Sequence, residues 1–246
     1  MKYIIDLDGT LLDGANANLD SVDFVSELQK KNCEFVVMTN SVKSPNIIKE
    51  RLSNVGIKIG VEKIINPIIA MNVYVQRNNL NSAYVIGSKL EKDQVTVELN
   101  EINPDIVLLL DFEKDNFGYN ELQKTFDYMA DGIPVITASR SKFYLKNGSK
   151  QLDTGAFVSL LETVTGECIE VIGKPSKNYF ESAIAKLDTV ASDVTVIGDD
   201  WQTDVLGATE VGCHAILLKS GKYSVGDEEN AIVKESVDKL MDIFAE

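Results

Sequence analysis

Short apolar runs alternate along the chain with longer segments in which apolar residues recur at helical spacing. The short runs predict buried strands, because strands of a parallel sheet covered on both faces read as nearly continuous apolar stretches. The predicted strands are Tyr3–Leu7, Glu34–Thr39, Ala83–Gly87, Ile106–Leu110, Pro134–Ala138, Glu170–Gly173, Val194–Gly198 and Ala215–Lys219. The predicted helices are Ser21–Lys31, Pro45–Val55, Tyr119–Ala130, Gly155–Thr165, Ser176–Leu187 and Ile232–Phe244. This alternation predicts an α/β fold built on a doubly wound parallel sheet.

Two polar segments interrupt the pattern and are candidate linkers. The first is Asn78–Ser82, and the second, which is weaker, is Thr165–Glu167. The strand and helix pattern between them, from about residue 82 to about residue 165, fits a separate small domain.

The charge balance narrows the classes of partner. The 246 residues are 44% hydrophobic and 25% charged, as in ordinary globular proteins, and they carry a formal net charge of −14. Such an acidic chain is not expected to bind a nucleic-acid backbone or an anionic membrane surface. Neither a membrane-spanning run nor a signal peptide's apolar region is found, so we expect a cytoplasmic protein.

Cysteine and histidine contribute little candidate chemistry. Cys33, Cys168 and Cys213 are isolated and odd in number, which is typical of reduced thiols and not of a disulfide framework or a zinc site. The single histidine, His214, begins an apolar run and is expected to be structural. A Ser-His-Asp hydrolase is disfavoured, because this histidine would have to serve and no Gly-x-Ser-x-Gly segment occurs.

The most informative segment follows the first predicted strand, where Asp6 and Asp8 precede Gly9. The alternation of side chains along a strand would place both carboxylates on one side, with Leu7 opposite. Two carboxylates so close are unfavourable unless a cation neutralises them or one takes up a proton. The segment indicates a metal site, an acid/base pair, or both. The alternative is a solvated Asp-Gly turn.

Two more segments follow predicted strands. Thr39 and Asn40 offer a hydroxyl and backbone N–H groups that suit an oxyanion such as phosphate, although an N-cap for the next helix explains them equally well. Lys174 lies between Gly173 and Pro175, where it could hold a phosphate oxygen or offset the charge of nearby acids. Most lysines are solvated, so this residue alone is a weak indication.

A second group of acids follows the predicted strand Val194–Gly198. Asp199, Asp200 and Asp204 are dense enough to complete an all-oxygen site for Mg²⁺, with a solvated acidic loop as the alternative. The ends of the strands of a doubly wound sheet converge on one crevice, so all of these segments are expected to meet there. Their order indicates metal-assisted phosphoryl transfer, with a carboxylate as the candidate nucleophile.

The chain resembles the haloacid dehalogenase-like (HAD) phosphatases, and among them the NagD-like branch, subclass IIA. The resemblance rests on segments that match in type, order and spacing, namely Asp6–Thr10, Thr39–Asn40, Lys174–Pro175 and Gly198–Asp204. Further support for the branch comes from Gly155–Phe157, Gly173–Ser176 and Leu218–Tyr223. The resemblance implies a Rossmann-like catalytic core, residues 1–79 and 170–246, with an inserted smaller α/β cap domain, residues 80–169.

The resemblance also implies roles for single residues. Asp6 would be the nucleophile that forms an aspartyl-phosphate, and Asp8 would protonate the leaving group and then activate water. Thr39 and the Asn40 backbone would bind phosphate, and Lys174 would hold phosphate and orient Asp6. Mg²⁺ would be held by the Asp6 carboxylate, the Asp8 backbone carbonyl and Asp199, with Asp204 in its first or second shell. Dehalogenases of the family generally lack the second aspartate, so Asp8 favours phosphate chemistry.

The cap would close over the site and supply contacts to a small phosphorylated metabolite, and relatives often form homodimers through it. Asp111, Asn147 and Asp153 are polar candidates for such contacts, although each is more typical of ordinary loop surface. Asp200 is an unexplained additional charge beside Asp199.

The predicted function is a Mg²⁺-dependent phosphatase acting on small phosphate monoesters, such as sugar phosphates, nucleotides or glycerol-type phosphates. A phosphotransferase or phosphomutase of the same superfamily is an alternative, because an aspartyl-phosphate can pass to an acceptor other than water. A receiver-like phospho-acceptor and a non-catalytic protein that binds a phosphorylated ligand are further alternatives.

Overall fold

Strands and helices alternate through the residues described by the computed structural model of the protein, which are 2–112, 117–146 and 149–244. The strands are β1 (Lys2–Ile5), β2 (Leu12–Asp13), β3 (Asn16–Ala17), β4 (Glu34–Met38), β5 (Ile64–Ile65), β6 (Ser82–Ile86), β7 (Glu98–Leu99), β8 (Ile106–Leu109), β9 (Val135–Thr137), β10 (Phe143–Lys146), β11 (Ser149–Leu152), β12 (Glu170–Val171), β13 (Val194–Gly198), β14 (His214–Leu218) and β15 (Ser236–Val237). The α-helices are α1 (Ser21–Lys30), α2 (Pro45–Asn54), α3 (Pro67–Arg77), α4 (Lys89–Lys92), α5 (Tyr119–Ala130), α6 (Thr154–Thr165), α7 (Lys177–Lys186) and α8 (Leu206–Glu210). The predicted α/β architecture is confirmed.

The chain divides into two compact units. The first consists of Met1–Thr39, Pro45–Ile65 and Lys174–Glu246, and the second of Asn40–Ser44 and Asn66–Gly173. The second unit takes in α3, which the expected boundaries assigned to the core. The reason is packing, since Ile68, Met71 and Val75 of this helix belong to the apolar cluster of the second unit's sheet.

The first unit is built on a six-stranded sheet in the order β15-β14-β13-β1-β4-β5, with every pair parallel. Ile5, the last residue of β1, lies between Ile197 of β13 and Val37 of β4. The carboxyl ends of these three strands are therefore neighbours. Phe24 and Leu28 of α1 are fully buried against one face of the sheet.

The second unit has its own five-stranded parallel sheet, in the order β12-β9-β8-β6-β7. Alternate residues of β6 enter different apolar clusters. Val85 packs with Met71 and Val75 of α3, whereas Tyr84 packs with Tyr128 of α5. The sheet is thus covered on both faces, which explains why β8 and the residues of β6 from Ala83 to Ile86 are apolar without a break.

Helix α3 was not predicted, although the sequence contains its start signal. Asn66 is the N-cap, its side-chain oxygen accepts a hydrogen bond from the Ile69 N–H at 3.1 Å, and Pro67 occupies the first turn. An asparagine followed by proline is a favourable helix start, because the side chain satisfies one free N–H and proline has none to satisfy.

The prediction of a helix at Ile232–Phe244 is wrong. This segment contains β15, followed by a 3₁₀ turn at Leu240–Phe244. The backbone of β15 completes the edge of the first sheet beside β14, and the Asp20 carboxylate accepts hydrogen bonds from the N–H groups of Leu240 and Met241 at 3.2 and 2.8 Å. These long-range bonds outweigh the local helical spacing of the apolar residues.

In the described parts of the chain, the helices are too short or too polar to cross a lipid bilayer.

One ion pair of the second unit connects α6 with the loop after β9. The Arg140 guanidinium donates to both carboxylate oxygens of Glu162, at 3.1 and 2.5 Å, and to the Ile169 carbonyl at 2.6 Å. The Ile169 N–H in turn donates to Glu162 at 2.9 Å. Burial by itself would raise the pKa of Glu162, but Arg140 and the Ile169 N–H lower it overall.

Because this pKa is lower in the folded protein than in the unfolded chain, the ionised Glu162 stabilises the fold above the unfolded value of 4.5, and the contribution is lost as pH falls below it. We expect Glu162→Gln to cost about 1 kcal/mol at neutral pH, because Arg140 is partly exposed. The difference in the free energy of unfolding between this variant and wild type should shrink below about pH 4.5. Urea-dependent hydrogen exchange of the α6 amides measures it, and Glu167→Gln, an exposed carboxylate nearby, is the control. An equal effect of both variants would contradict the prediction.

Candidate active site

The site begins where β1 ends. The strand stops at Ile5, and the Asp6 N–H donates to the Ile197 carbonyl at 2.9 Å, so Asp6 sits between the sheet's central strands. Its side chain is buried. The backbone then turns, with the N–H groups of Leu11 and Leu12 both donating to the Leu7 carbonyl. Asp8 follows the strand and is not part of it.

A buried lysine connects two of the predicted acids. The Lys174 ammonium lies 2.5 Å from Asp6 Oδ1 and 2.6 Å from Asp204 Oδ1, and its side chain is only 5% exposed. Burial by itself would lower the pKa of Lys174, but the carboxylates of Asp204 and Asp6 raise it well above the ordinary value. Lys174 is therefore a permanent cation in the site, and it fixes the orientation of Asp6.

Asp199 completes a cluster of carboxylates. Oxygens of Asp6, Asp199 and Asp204 lie within 4.8 Å of one another, and all three residues are buried. Burial, followed by the charges of Asp6 and Asp204, raises the pKa of Asp199 well above its ordinary range. Burial also raises the pKa of Asp204, to about 7, although Lys174 opposes the shift. Three carboxylates against one ammonium leave the cluster short of positive charge.

The arrangement fits a hard divalent cation. Asp6 Oδ2 is buried, yet it accepts no hydrogen bond from any residue in the described ranges. A buried carboxylate oxygen without a partner is costly, and a cation that takes oxygen ligands would satisfy it while offsetting the repulsion among the acids. The donor set is all oxygen, which suits Mg²⁺ or Ca²⁺ better than softer metals.

Glycines let the backbone approach Asp199 closely. A Cβ atom on Gly9 or on Gly221 would collide with the Asp199 carboxylate, and both glycines have positive φ angles, of 103° and 52°. The Ser220 hydroxyl donates to the Gly9 carbonyl at 2.6 Å, and the Lys222 N–H donates to Asp199 Oδ2 at 2.7 Å. The loop after β14 therefore orients Asp199. The sequence of this loop supports the family resemblance, but sequence analysis did not predict that the loop orients Asp199.

Thr39 lies at the carboxyl end of β4 and is 2% exposed. Its N–H donates to the Ile65 carbonyl at 3.1 Å, and its carbonyl accepts a hydrogen bond from the Tyr179 hydroxyl at 2.7 Å. The same hydroxyl lies 3.0 Å from the Ile65 carbonyl. Tyr179 of α7 thus holds the ends of β4 and β5 together. Sequence reasoning missed this residue, because it looked like an ordinary apolar position of a helix.

The Asp8 carboxylate stands apart from the buried cluster. Its side chain is 45% exposed and forms an ion pair with Arg51 of α2, with Asp8 Oδ1 2.6 Å from Arg51 Nη2. The backbone around it is fixed separately, because the Asn18 side chain donates to the carbonyls of Gly9 and Thr10 at 2.9 and 3.0 Å. Arg51 was not a candidate residue in the sequence.

The other candidates have local roles or lie elsewhere. Asn40 belongs to the second unit. Asp153 caps α6 by accepting from the Thr154 N–H at 2.7 Å, and Asp111 lies 4.0 Å from Lys43. Asn147 lies outside the described residues.

Asp200 also has a structural role of its own. It accepts a hydrogen bond from the Gln202 N–H at 3.0 Å and caps the π-helical turn Trp201–Val205. Its other oxygen lies 3.4 Å from the Lys222 ammonium. The two adjacent aspartates therefore differ, with Asp199 facing the carboxylate cluster and Asp200 starting the next helix.

Comparison with protein families gives two matches. Residues 3–101 match a family model described as haloacid dehalogenase-like hydrolase, and residues 171–243 match a second, described as HAD-hydrolase-like. Between them the two models cover most of the first unit, including both segments that carry the clustered carboxylates.

Curated relatives match nearly the whole chain. The chain is 29% identical over 252 residues to the human phospholysine phosphohistidine inorganic pyrophosphate phosphatase, covering 99% of this chain and 91% of that protein. It is 28% identical over 227 residues to the rat haloacid dehalogenase-like hydrolase domain-containing protein 2, covering 92% of this chain and 86% of that one.

Solved structures show the same fold at lower identity. A p-nitrophenyl phosphatase from Archaeoglobus fulgidus superimposes with a TM-score of 0.91 at 20% identity, covering 99% of this chain and 98% of that one. NagD from E. coli K-12 gives a TM-score of 0.88 at 20% identity, covering 97% and 96% of the two chains. The chain therefore belongs to the haloacid dehalogenase-like hydrolases, and it has the fold of their NagD-like branch.

Proposed function

We propose that the protein is a Mg²⁺-dependent phosphatase that hydrolyses small phosphate monoesters through an aspartyl-phosphate on Asp6. The observation that carries this proposal is the environment of Asp6. One of its oxygens is held by Lys174 and the other is buried without a hydrogen-bond partner in the described structure. A carboxylate fixed on one side and free on the other is suited to bind a cation and to attack phosphorus.

The names of similar proteins support the same class of reaction. The human relative is a phosphatase by name, and the structural neighbours include a glycerol phosphate phosphatase from Mycobacterium tuberculosis in complex with magnesium. That structure has a TM-score of 0.86 at 20% identity and covers 97% of this chain. We infer by analogy that a small phosphorylated metabolite is the substrate here.

In the proposed mechanism, a carboxylate oxygen of Asp6 attacks phosphorus, and the bond between phosphorus and the ester oxygen breaks. Asp8 donates a proton to the departing oxygen, so that an alcohol leaves. Water then attacks the aspartyl-phosphate and gives its proton to Asp8. Inorganic phosphate leaves, and both aspartates return to their starting states. Thr39, the Asn40 backbone and Lys174 hold the phosphate oxygens during both steps.

The residues proposed to hold Mg²⁺ are Asp6, Asp199 and Asp204 through their carboxylates, and Asp8 through its backbone carbonyl. When bound, the ion supplies positive charge that offsets the repulsion between the carboxylate cluster and the incoming phosphate. Lys174 supplies further positive charge, with its ammonium 2.5 Å from Asp6 Oδ1.

A cytoplasmic location and a homodimer formed through the second unit stay part of this proposal. Gel filtration of the wild-type protein measures the oligomeric state.

One prediction of this mechanism concerns the nucleophile. Asp6→Asn should lower phosphate release from p-nitrophenyl phosphate by about a thousandfold or more, because an amide cannot form the acyl-phosphate. Asp23→Asn, an exposed aspartate on α1, is the matched control and should keep wild-type activity. Full activity in purified Asp6→Asn would overturn the proposed mechanism. Measuring both free phosphate and phosphorylated alcohol, with glycerol added as an acceptor, separates hydrolysis from phosphoryl transfer.

Another prediction of this mechanism concerns the metal. Mg²⁺ should raise the thermal midpoint of unfolding and a chelator should reverse the change, because the cation binds only the folded cluster. At a concentration one hundred times the dissociation constant the gain is about 2.7 kcal/mol. Asp199→Asn should remove most of this response, whereas Asp23→Asn should keep it. A wild-type midpoint that does not respond to Mg²⁺ would contradict the proposed site.

Without metal, Asp199→Asn should melt at the same temperature as wild type or higher, because burial and the charges of Asp6 and Asp204 already disfavour the charged form of Asp199. This control separates the loss of a metal ligand from general damage to the fold. Melting curves with and without a chelator measure it.

A further inference from the structure

Arg51 has two contacts that the proposed mechanism does not use. It lies in the last turn of α2, and Nη2 donates to Asp8 Oδ1 at 2.6 Å and to the Gly14 carbonyl at 3.3 Å. Its side chain is 32% exposed, so the guanidinium is held against the protein surface and not extended into solvent.

These contacts join two parts of the segment that follows β1. Asp8 lies at its start, and Gly14 is in the turn between the paired strands β2 and β3, in which Leu12 faces Ala17. Arg51 thus bridges the Asp8 side chain and the tip of this hairpin from a helix that does not belong to the segment. The helix itself is anchored, since Ile48 and Leu52 are fully buried.

Asp8 needs such a contact more than its neighbours in the site do. Asp6 is oriented by Lys174, and Asp199 by the Lys222 N–H and the Thr10 hydroxyl. The Asp8 carboxylate is 45% exposed, and the ion pair with Arg51 is the side-chain contact found for it among the described residues. The guanidinium is the group that selects one orientation.

We propose that Arg51 is a positioning residue, which holds the Asp8 carboxylate and the β2–β3 turn in the arrangement needed for proton transfer to the leaving group. The proposal rests on the proposed function, because it assigns Asp8 the proton-transfer role. Arginine is suited to this task, since one planar group can donate to a carboxylate and a backbone carbonyl at once. A lysine would keep the charge but not the geometry.

The test uses two substrates that differ in their need for a proton donor. p-Nitrophenolate leaves as a stable anion, whereas the alkoxide of an alkyl phosphate such as glycerol 3-phosphate must be protonated as it leaves. The parameter kcat/KM reports steps up to the first irreversible one, here the phosphorylation of Asp6, so it isolates the donation of the proton. It is measured for wild type, Arg51→Gln, Arg51→Lys and Asp8→Asn.

We expect Arg51→Gln to lower kcat/KM for the alkyl phosphate by about tenfold or more, and that for p-nitrophenyl phosphate by less than about threefold. Arg51→Lys should fall between wild type and Arg51→Gln. Lys49→Gln, an exposed lysine on the same helix, is the matched control and should leave both values unchanged. In the Asp8→Asn background, Arg51→Gln should cause no further loss, because the group it positions is gone.

If Arg51 had a purely structural role, Arg51→Gln would lower kcat/KM equally for both substrates. That result, or an unchanged kcat/KM for both substrates, would overturn the proposal. Added guanidinium ion should partly restore alkyl phosphate hydrolysis in Arg51→Ala, and failure in a folded variant would count against it. The data for wild type and for Asp8→Asn distinguish a failure of the proposed function from a failure of the role proposed for Arg51. If wild type hydrolyses neither substrate, the proposed function fails and this proposal with it. If Asp8→Asn affects both substrates equally, proton donation by Asp8 fails.

Discussion

The candidate active site depends on a balance between buried negative and positive charges. Asp6, Asp199 and Asp204 would repel one another at the ends of the central strands, and burial removes the water that would screen them. Lys174 offsets part of that charge through two ion pairs of 2.5 and 2.6 Å. The remaining deficit of positive charge is what makes the cluster receptive to a cation, so the repulsion among the carboxylates and the proposed activity have one cause.

The sheet makes this balance possible by fixing where the acids are. Ile5 lies beside Ile197 in the parallel register of β1 and β13, so the residues that follow these strands emerge next to each other. Glycine at 198 leaves room for the Asp204 side chain, because a Cβ atom there would collide with it. The packing of the apolar strands thus offsets the repulsion between the carboxylates that follow them. A loop could not impose the same separation.

Much of the fold and of the carboxylate cluster could be predicted from sequence, because the determining signals are local. Apolar runs mark the strands, and an acid directly after such a run lies at the carboxyl end of that strand. This reasoning identified Asp6 and Asp199. It also placed Thr39 at the end of a strand of the first sheet, where this residue is buried. The strand before Lys174, β12, belongs instead to the second unit's sheet, although Lys174 itself is buried in the first unit.

What sequence could not provide are contacts between residues far apart in the chain. Tyr179 reaches Thr39 across 140 residues, and Asp20 bonds to Leu240 across 220. The pairing of Asp8 with Arg51 likewise joins residues that are 43 positions apart. No local pattern distinguishes these side chains from ordinary core or surface positions. The family resemblance supplied roles for Asp8 and Asn40, and these roles remain predictions.

The order of strands in the first sheet also bears on how the protein is made. Strand β1 lies between β13 and β4, so one of its two neighbours is synthesised about 190 residues after it. A chain that leaves the ribosome from its N-terminus presents Asp6 long before Lys174 and Asp199 exist, while the second unit, apart from five residues, is one continuous stretch that ends at Gly173. Vectorial synthesis therefore lets the inserted unit form first and makes the carboxylate cluster one of the last parts of the molecule to assemble.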